Sequence, residues 1–160
     1  MDLDKILSKA QKYCDYQERC TADVQQKLRT WDVSAHDATQ IINLLTKDDY
    51  LNEERFATAF VRDKILLSHY GKNVVKQQLQ LRKLPTHIIT RALTSVPDDE
   101  YHKVLQHLLA KRQSTPSHRA KPDDIKQQLL IHYAIGRGFE YDLVKKILYS
   151  VRIADISPRQ

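Results

Sequence analysis

The 160-residue chain is poor in the residues that break helices or build most reactive sites: it holds 3 glycines, 5 prolines, 2 cysteines and 1 tryptophan. With so few glycines, turns that need positive φ are scarce. No Gly-rich phosphate loop can be assembled, because Gly71 stands alone and Gly136-Arg137-Gly138 follows no strand pattern. Cys14 and Cys20, six apart, fit neither a zinc pair nor a redox motif and read as two small buried or half-buried thiols. The longest apolar runs, such as Ile65-Leu66-Leu67 and Leu129-Leu130-Ile131, are far too short to span a bilayer. Met1-Asp2-Leu3-Asp4 lacks the cationic start of a signal peptide, so the expected compartment is the cytoplasm and no membrane partner is expected.

Reactive chemistry is sparse. The histidines at 36, 69, 87, 102, 107, 118 and 132 are scattered, and none pairs with another His or a Cys at helical i, i+3 or i, i+4 spacing. They read as solvated or hydrogen-bonded at helix ends. The adjacent acids Asp48-Asp49, Glu53-Glu54 and Asp123-Asp124 diverge by about 100° on a helix or mark its start, where the helix dipole favours anions. With no nucleophile beside a base, the chain is expected not to be an enzyme, and to use no metal, cofactor or small-molecule substrate.

What is abundant is Gln, Lys, Leu and Ala, the composition of helix, and the expected fold class is all-α. A repeat supports this. Val24-Gln25-Gln26-Lys27-Leu28, Val75-Lys76-Gln77-Gln78-Leu79 and Ile125-Lys126-Gln127-Gln128-Leu129 superpose at offsets of 51 and 50. Ile42, Leu93 and Leu148, and likewise Leu45, Val96 and Val151, correspond at offsets of 51 and 55, with the extra residues near 134–138. Each unit reads as three helices: 1–50, 51–97 and 98–156, followed by a frayed tail at 157–160.

In the first unit Ile6, Leu7, Ala10, Tyr13 and Cys14 make a stripe, Thr21 is a candidate cap, and Ser34 to Asp37 has capping-box spacing. In the second, helices are expected over 52–68, 72–83 and 86–95, with Asn52 as N-cap and Phe56, Ala59, Phe60 and Leu67 as the apolar face. Gly71 permits a tight turn between the first two. In the third, Val104, Leu105, Leu108 and Leu109 carry the face, and 113–122, with two prolines and no large apolar residue, is expected to be a mobile loop in which nothing packs.

The net charge of +6 is uneven: residues 1–50 sum to −2, 51–97 to +5 and 98–160 to +3. A basic middle reads either as a field facing a polyanion or acidic protein, or as a solvated face that aids solubility. If 72–83 is one helix, Lys72, Lys76 and Lys83 fall in a single basic row. The candidate contact residues are Arg62, Lys64, Lys72, Lys76, Arg82, Lys83, Lys111, Arg112, Arg119, Lys121 and Lys126. Each helical lysine taken singly reads more commonly as an exposed stem covering apolar area, and Arg55 reads as a structural partner of nearby acids.

The segment Leu51-Asn52-Glu53-Glu54-Arg55-Phe56-Ala57, with Phe60-Val61-Arg62, Gly71-Lys72 and Leu79-x-x-Arg82-Lys83, resembles the central motif of the RecX family. Asn52, Arg55, Phe56, Phe60 and Gly71 carry it. The chain departs from the family at Asn52, where Asp is usual, and at Lys83 and Trp31-Asp32, where a Gly before the last aliphatic is usual. The resemblance implies an elongated, curved right-handed array of three tandem three-helix repeats, acting as a monomer. It further implies a regulator that lies along the RecA filament on DNA, limits its growth, and restrains strand exchange and SOS-repressor cleavage. The competing expectation is a stand-alone basic helical protein that binds single- or double-stranded DNA directly.

Overall fold

Among the residues that the computed structural model describes, 2–156 with side chains through residue 150, the chain is helical throughout with no strand. The all-α expectation is met. The tail at 157–160 and the side chain of Val151 lie outside the described residues. The helices are α1 (Leu3–Tyr16), α2 (Thr21–Thr30), α3 (Ala35–Lys47), α4 (Glu53–Arg62), α5 (Lys72–Leu81), α6 (Thr86–Thr94), α7 (Asp98–Gln113), α8 (Pro116–Arg119), α9 (Asp123–Gly136) and α10 (Tyr141–Ile156). A π-helical turn, Asp63–Leu67, continues α4.

Helix starts follow side-chain chemistry. Ser34 Oγ accepts the Asp37 amide at 3.2 Å and Asn52 Oδ1 accepts the Arg55 amide at 3.0 Å, so both expected caps form. Thr21 is not a cap. It is the first residue of α2, and its amide is taken by the Glu53 carboxylate at 2.7 Å, while Asp23 accepts the Cys20 amide at 3.3 Å.

The second helix of each triplet stops in the same way. The amides of Val33, Leu84 and Phe139 donate back to the carbonyls of Leu28, Leu79 and Ala134, and Asp32, Lys83 and Gly138 stand just before them at φ 57°, 61° and 104°. This is a Schellman close, with an apolar residue after the left-handed one. Its offsets of 51 and 55 are those of the sequence repeat. The α5 helix therefore ends at Leu81 rather than 83.

The apolar face of α4 is rotated from its expected position. Phe56, Ala57, Val61 and Ile65 are buried, Ala59 and Phe60 are half-buried, and Leu67 is 75% exposed. At Leu67 the register has also slipped, because in the π turn the Ser68 amide bonds to the Asp63 carbonyl five residues back.

Contacts divide the chain into two compact units, Met1–Phe60 with Leu79–Ala92 and Val61–Gln78 with Leu93–Gln160. In the first, Ile6, Ala10, Cys14, Val24, Leu28, Ile41, Leu45 and Leu51 form a core on which Tyr13 and Trp31 pack edge to face at 6.5 Å. Each fully buried large aliphatic contributes about 1.5–3 kcal/mol. Both thiols are buried, and burial pushes Cys20 up to about 11.

In the second unit α7 packs on α9, α10 and the π turn, with Leu105, Leu108, Leu109, Leu130, Ala134 and Val144 buried. Tyr101, which the apolar pattern omits, is 3% exposed and stacks on Phe139 at 5.3 Å. Its hydroxyl meets the Glu140 carboxylate at 3.0 Å and accepts the Lys72 amide at 3.0 Å, so burial raises its pKa without leaving it unpaired. Gly71 is held for a different reason from the expected turn. His69 takes the positive φ of 60°, while Gly71 lies against the Gly138 backbone, its amide donating to the Arg137 carbonyl at 2.8 Å.

Residues 113–122 also differ from expectation. Thr115 caps the short α8, and His118 is only 6% exposed, because imidazole supplies the apolar surface that the stretch otherwise lacks.

Candidate partner and nucleic-acid surface

In the first unit the motif residues build a clasp. Asn52 starts α4 and turns Arg55 toward the preceding helices, where its Nε donates to Glu18 at 2.5 Å and its Nη1 to Asp49 at 3.1 Å. The Glu18 hydrogen bond holds the Arg55 pKa above its ordinary value. Arg91 pairs with Glu54 at 3.0 Å. Arg82 lies 3.8 Å from Asp23 and 4.8 Å over the Phe60 ring, a half-buried cation–π arrangement. Phe60 and Phe56 lie 5.6 Å apart.

The expected row of Lys72, Lys76 and Lys83 is not kept. Lys83 lies beyond the end of α5, exposed at positive φ. Lys72 is half-buried with its ammonium 4.7 Å over the Tyr101 ring, and Lys76 is exposed. Arg62 is exposed and donates to the Ser95 carbonyl at 3.4 Å, while Lys64 is half-buried. Lys126 pairs with Asp123 at 3.0 Å.

The second unit brings other cations together. Lys111 and Arg112, in the last turn of α7, border a cleft of about 350 Å³ that is also lined by Ser68, His69, Tyr133 and Arg137. The Arg112 guanidinium lies 4.5 Å over the Tyr133 ring. Arg137 donates to the carbonyls of Ser68 and His69 and lies 4.0 Å over Tyr70, which fixes the exit of the π turn. Burial, and then His107, Arg137 and Lys111, lower the His69 pKa. A smaller cavity of about 110 Å³ is lined by Arg112, Ser117, His118, Lys121 and Leu129. Arg119 is exposed on α8.

The histidines are thus less scattered than their spacing suggests, for His69 and His107 meet edge to face at 5.5 Å. Sequence reasoning passes over His69, His118, Tyr133 and Arg137 as site residues. The signals available are the basic flanks of 113–122 and the Gly136-Arg137-Gly138 break. Among the described residues no group of three or more His, Cys, Asp or Glu is arranged to hold a metal ion, and no helix is long and apolar enough to cross a membrane.

Helix triplets with repeated stops, bearing cationic clefts on their surface, define a class of all-helical repeat protein. Residues 52–93 match the family model described as RecX, second three-helix domain. The chain is 25% identical over 151 residues to the regulatory protein RecX of Oceanobacillus iheyensis, covering 92% of this chain and 54% of that one. It is 28% identical over 134 residues to the regulatory protein RecX of Streptococcus gordonii, covering 83% and 50%. The chain therefore spans about half the length of the curated relatives it matches. The crystal structure of RecX from Lactobacillus salivarius superposes with a TM-score of 0.82 at 26% identity, covering 94% of this chain and 97% of that one. The chain is thus similar to RecX proteins in sequence and in fold.

Proposed function

We propose that this chain is a RecX-like regulator that binds the RecA nucleoprotein filament and restrains its growth, and with it strand exchange and the RecA-dependent cleavage of the SOS repressor. The observation that carries this reading is the match of residues 52–93 to the RecX second domain, over a segment whose Lys76 and Lys83 stand exposed. The three triplets, 1–50, 51–97 and 98–156, act as its repeats, and their surfaces differ where their helix stops agree. Docking, with no catalytic step, is the mode of action, in the cytoplasm and by a single copy.

The test is sedimentation of RecA on single-stranded DNA, with this protein added, at two salt concentrations. Co-pelleting with shortened filaments and slowed ATP hydrolysis is expected. Unchanged filament length and hydrolysis at a several-fold excess would end the reading. A second reading, direct binding to DNA alone, is supported by the cations around Arg112. It predicts an affinity that falls linearly with salt on logarithmic axes without RecA present.

A further inference from the structure

The outer side of α1 is cationic, although residues 1–50 sum to −2. At about 100° per residue, Lys5, Lys9, Lys12 and Tyr16 fall within about 60° of one another, turned away from the buried Ile6, Ala10 and Cys14. All four are exposed, and among the described residues none of the three ammoniums forms an ion pair. Tyr16, at the end of the row, is 83% exposed, and tyrosine is a residue type that anchors protein interfaces.

The row is also braced from beside. The Lys9 ammonium lies 4.4 Å over the Trp31 ring, and Lys27 sits 5.8 Å from Trp31 and 5.4 Å from Tyr13. The Arg19 guanidinium lies 3.9 Å over Tyr13 and 5.9 Å from Tyr16. Cations and rings thus alternate from Lys9 to Tyr16, so part of the charge is already held in place before a partner arrives.

A positive face suits a nucleic acid or an acidic protein, and three observations favour the protein. Trp31 and Tyr13 already carry cations of this chain on their rings, which competes with the base stacking that a single strand uses. Asp4 and Asp15 flank the row about 100° round the helix, where they repel a continuous polyanion and give register to a partner of mixed charge. The ammoniums recur every three or four residues, about 4.5–6 Å along the axis, the spacing of carboxylates on one face of a helix laid alongside. We propose that the outward face of α1, Lys5, Lys9, Lys12 and Tyr16, docks an acidic helix of the filament's protein component. The identity of that protein rests on the proposed role at the filament, and the acidic-helix chemistry rests on α1 itself.

Trp31 is the chain's single tryptophan and lies under Lys9, so its emission reports on the row. The full chain, without RecA, is titrated with a helical peptide bearing Glu at i, i+4 and i+7, with its Gln twin, and with an oligothymidylate of equal charge. A saturable change with the Glu peptide is expected, with none from the Gln twin and a response about tenfold weaker to the oligothymidylate. The double variant Lys5→Gln with Lys12→Gln, at exposed positions, should keep its urea midpoint, bind the peptide about fivefold less tightly and co-pellet less with RecA on single-stranded DNA.

A flat Trp31 signal with the Glu peptide overturns the proposal and leaves a solvated face. An equal response to the oligothymidylate overturns the protein assignment. Pelleting separates the two readings: wild type and double variant pelleting alike takes the row off the filament and overturns the proposal, whereas a peptide response without any pelleting sinks only the filament reading and leaves the acidic-helix site standing.

Discussion

Gly71 and Gly138 meet backbone to backbone: a β-carbon on Gly71 would stand 2.1 Å from the Gly138 carbonyl carbon. Neither atom belongs to a flexible side chain, so the clash is relieved only by parting the two segments. That parting would break the bonds from the Gly71 amide to Arg137 and from the Asn73 amide to Gly138, at 2.8 and 2.9 Å. Gly71→Ala is expected to lower stability by about 2–3 kcal/mol or more, read as a fall in urea midpoint. A loss within ~0.5 kcal/mol, the level of a neutral surface change, would contradict the close approach.

Lys83 closes α5 in the left-handed region at φ 61°, a conformation that costs a side-chain-bearing residue about 1–2 kcal/mol and costs glycine none. Lys83→Gly should therefore raise the melting temperature. Lys83→Ala keeps the strain and removes the charge, so filament binding lost equally in both variants, against a melting temperature raised in only one, would separate the ammonium's part in docking from its backbone cost.

Cys20 gives the protein a dependence on alkaline pH. Its folded pKa of about 11 lies above the ordinary 9.0, so the folded state holds the proton more tightly than the unfolded one. The stabilisation is complete below pH 9.0 and drains away as pH rises toward 11, amounting to about 3 kcal/mol in all. Urea midpoints between pH 8 and 10 should fall for the wild type and fall less for Cys20→Ala. Staying at or below pH 10 limits the contribution of Tyr101, whose hydroxyl is also raised above 10.0. Parallel slopes would mean that the thiol is not held protonated by burial.

Lys76 is exposed on α5, so Lys76→Glu should leave stability within ~0.5 kcal/mol and still weaken co-pelleting with RecA filaments. Lys72→Glu is the instructive contrast. It removes an ammonium from over the Tyr101 ring and places a carboxylate near Glu140, so it should destabilise as well. Equal pelleting by Lys76→Glu and the wild type, at low and at moderate salt, would assign Lys76 to solvation.

The helices are readable because each is written locally. Ser34 and Asn52 are caps by chemistry, and the apolar periods of α1 and α7 name most of the residues that are buried there. What the sequence hides depends on partners far along the chain. Tyr101 is buried because Glu140 and Lys72 satisfy its hydroxyl, and Gly71 is needed because of Gly138. Arg55 can be assigned to acids by charge, but only the fold selects Glu18, 37 residues away. Of the surface cations, composition marks Lys111, Arg112 and Lys121, whereas their convergence near His118 comes from the turn of α8, a four-residue helix below the reach of any period.

The π turn between Arg62 and Ser68 has an effect beyond displacing Leu67. An added residue in one helical turn acts as a phase shifter, rotating the downstream chain by about 100° relative to an unbroken helix. The residues immediately downstream are Ser68 and His69, the rim of the larger cationic cleft. Losing or gaining a single position in that turn would re-aim the rim while leaving the upstream core and every charged side chain of α7 as they are, so binding preference in this fold can be tuned by length as well as by substitution.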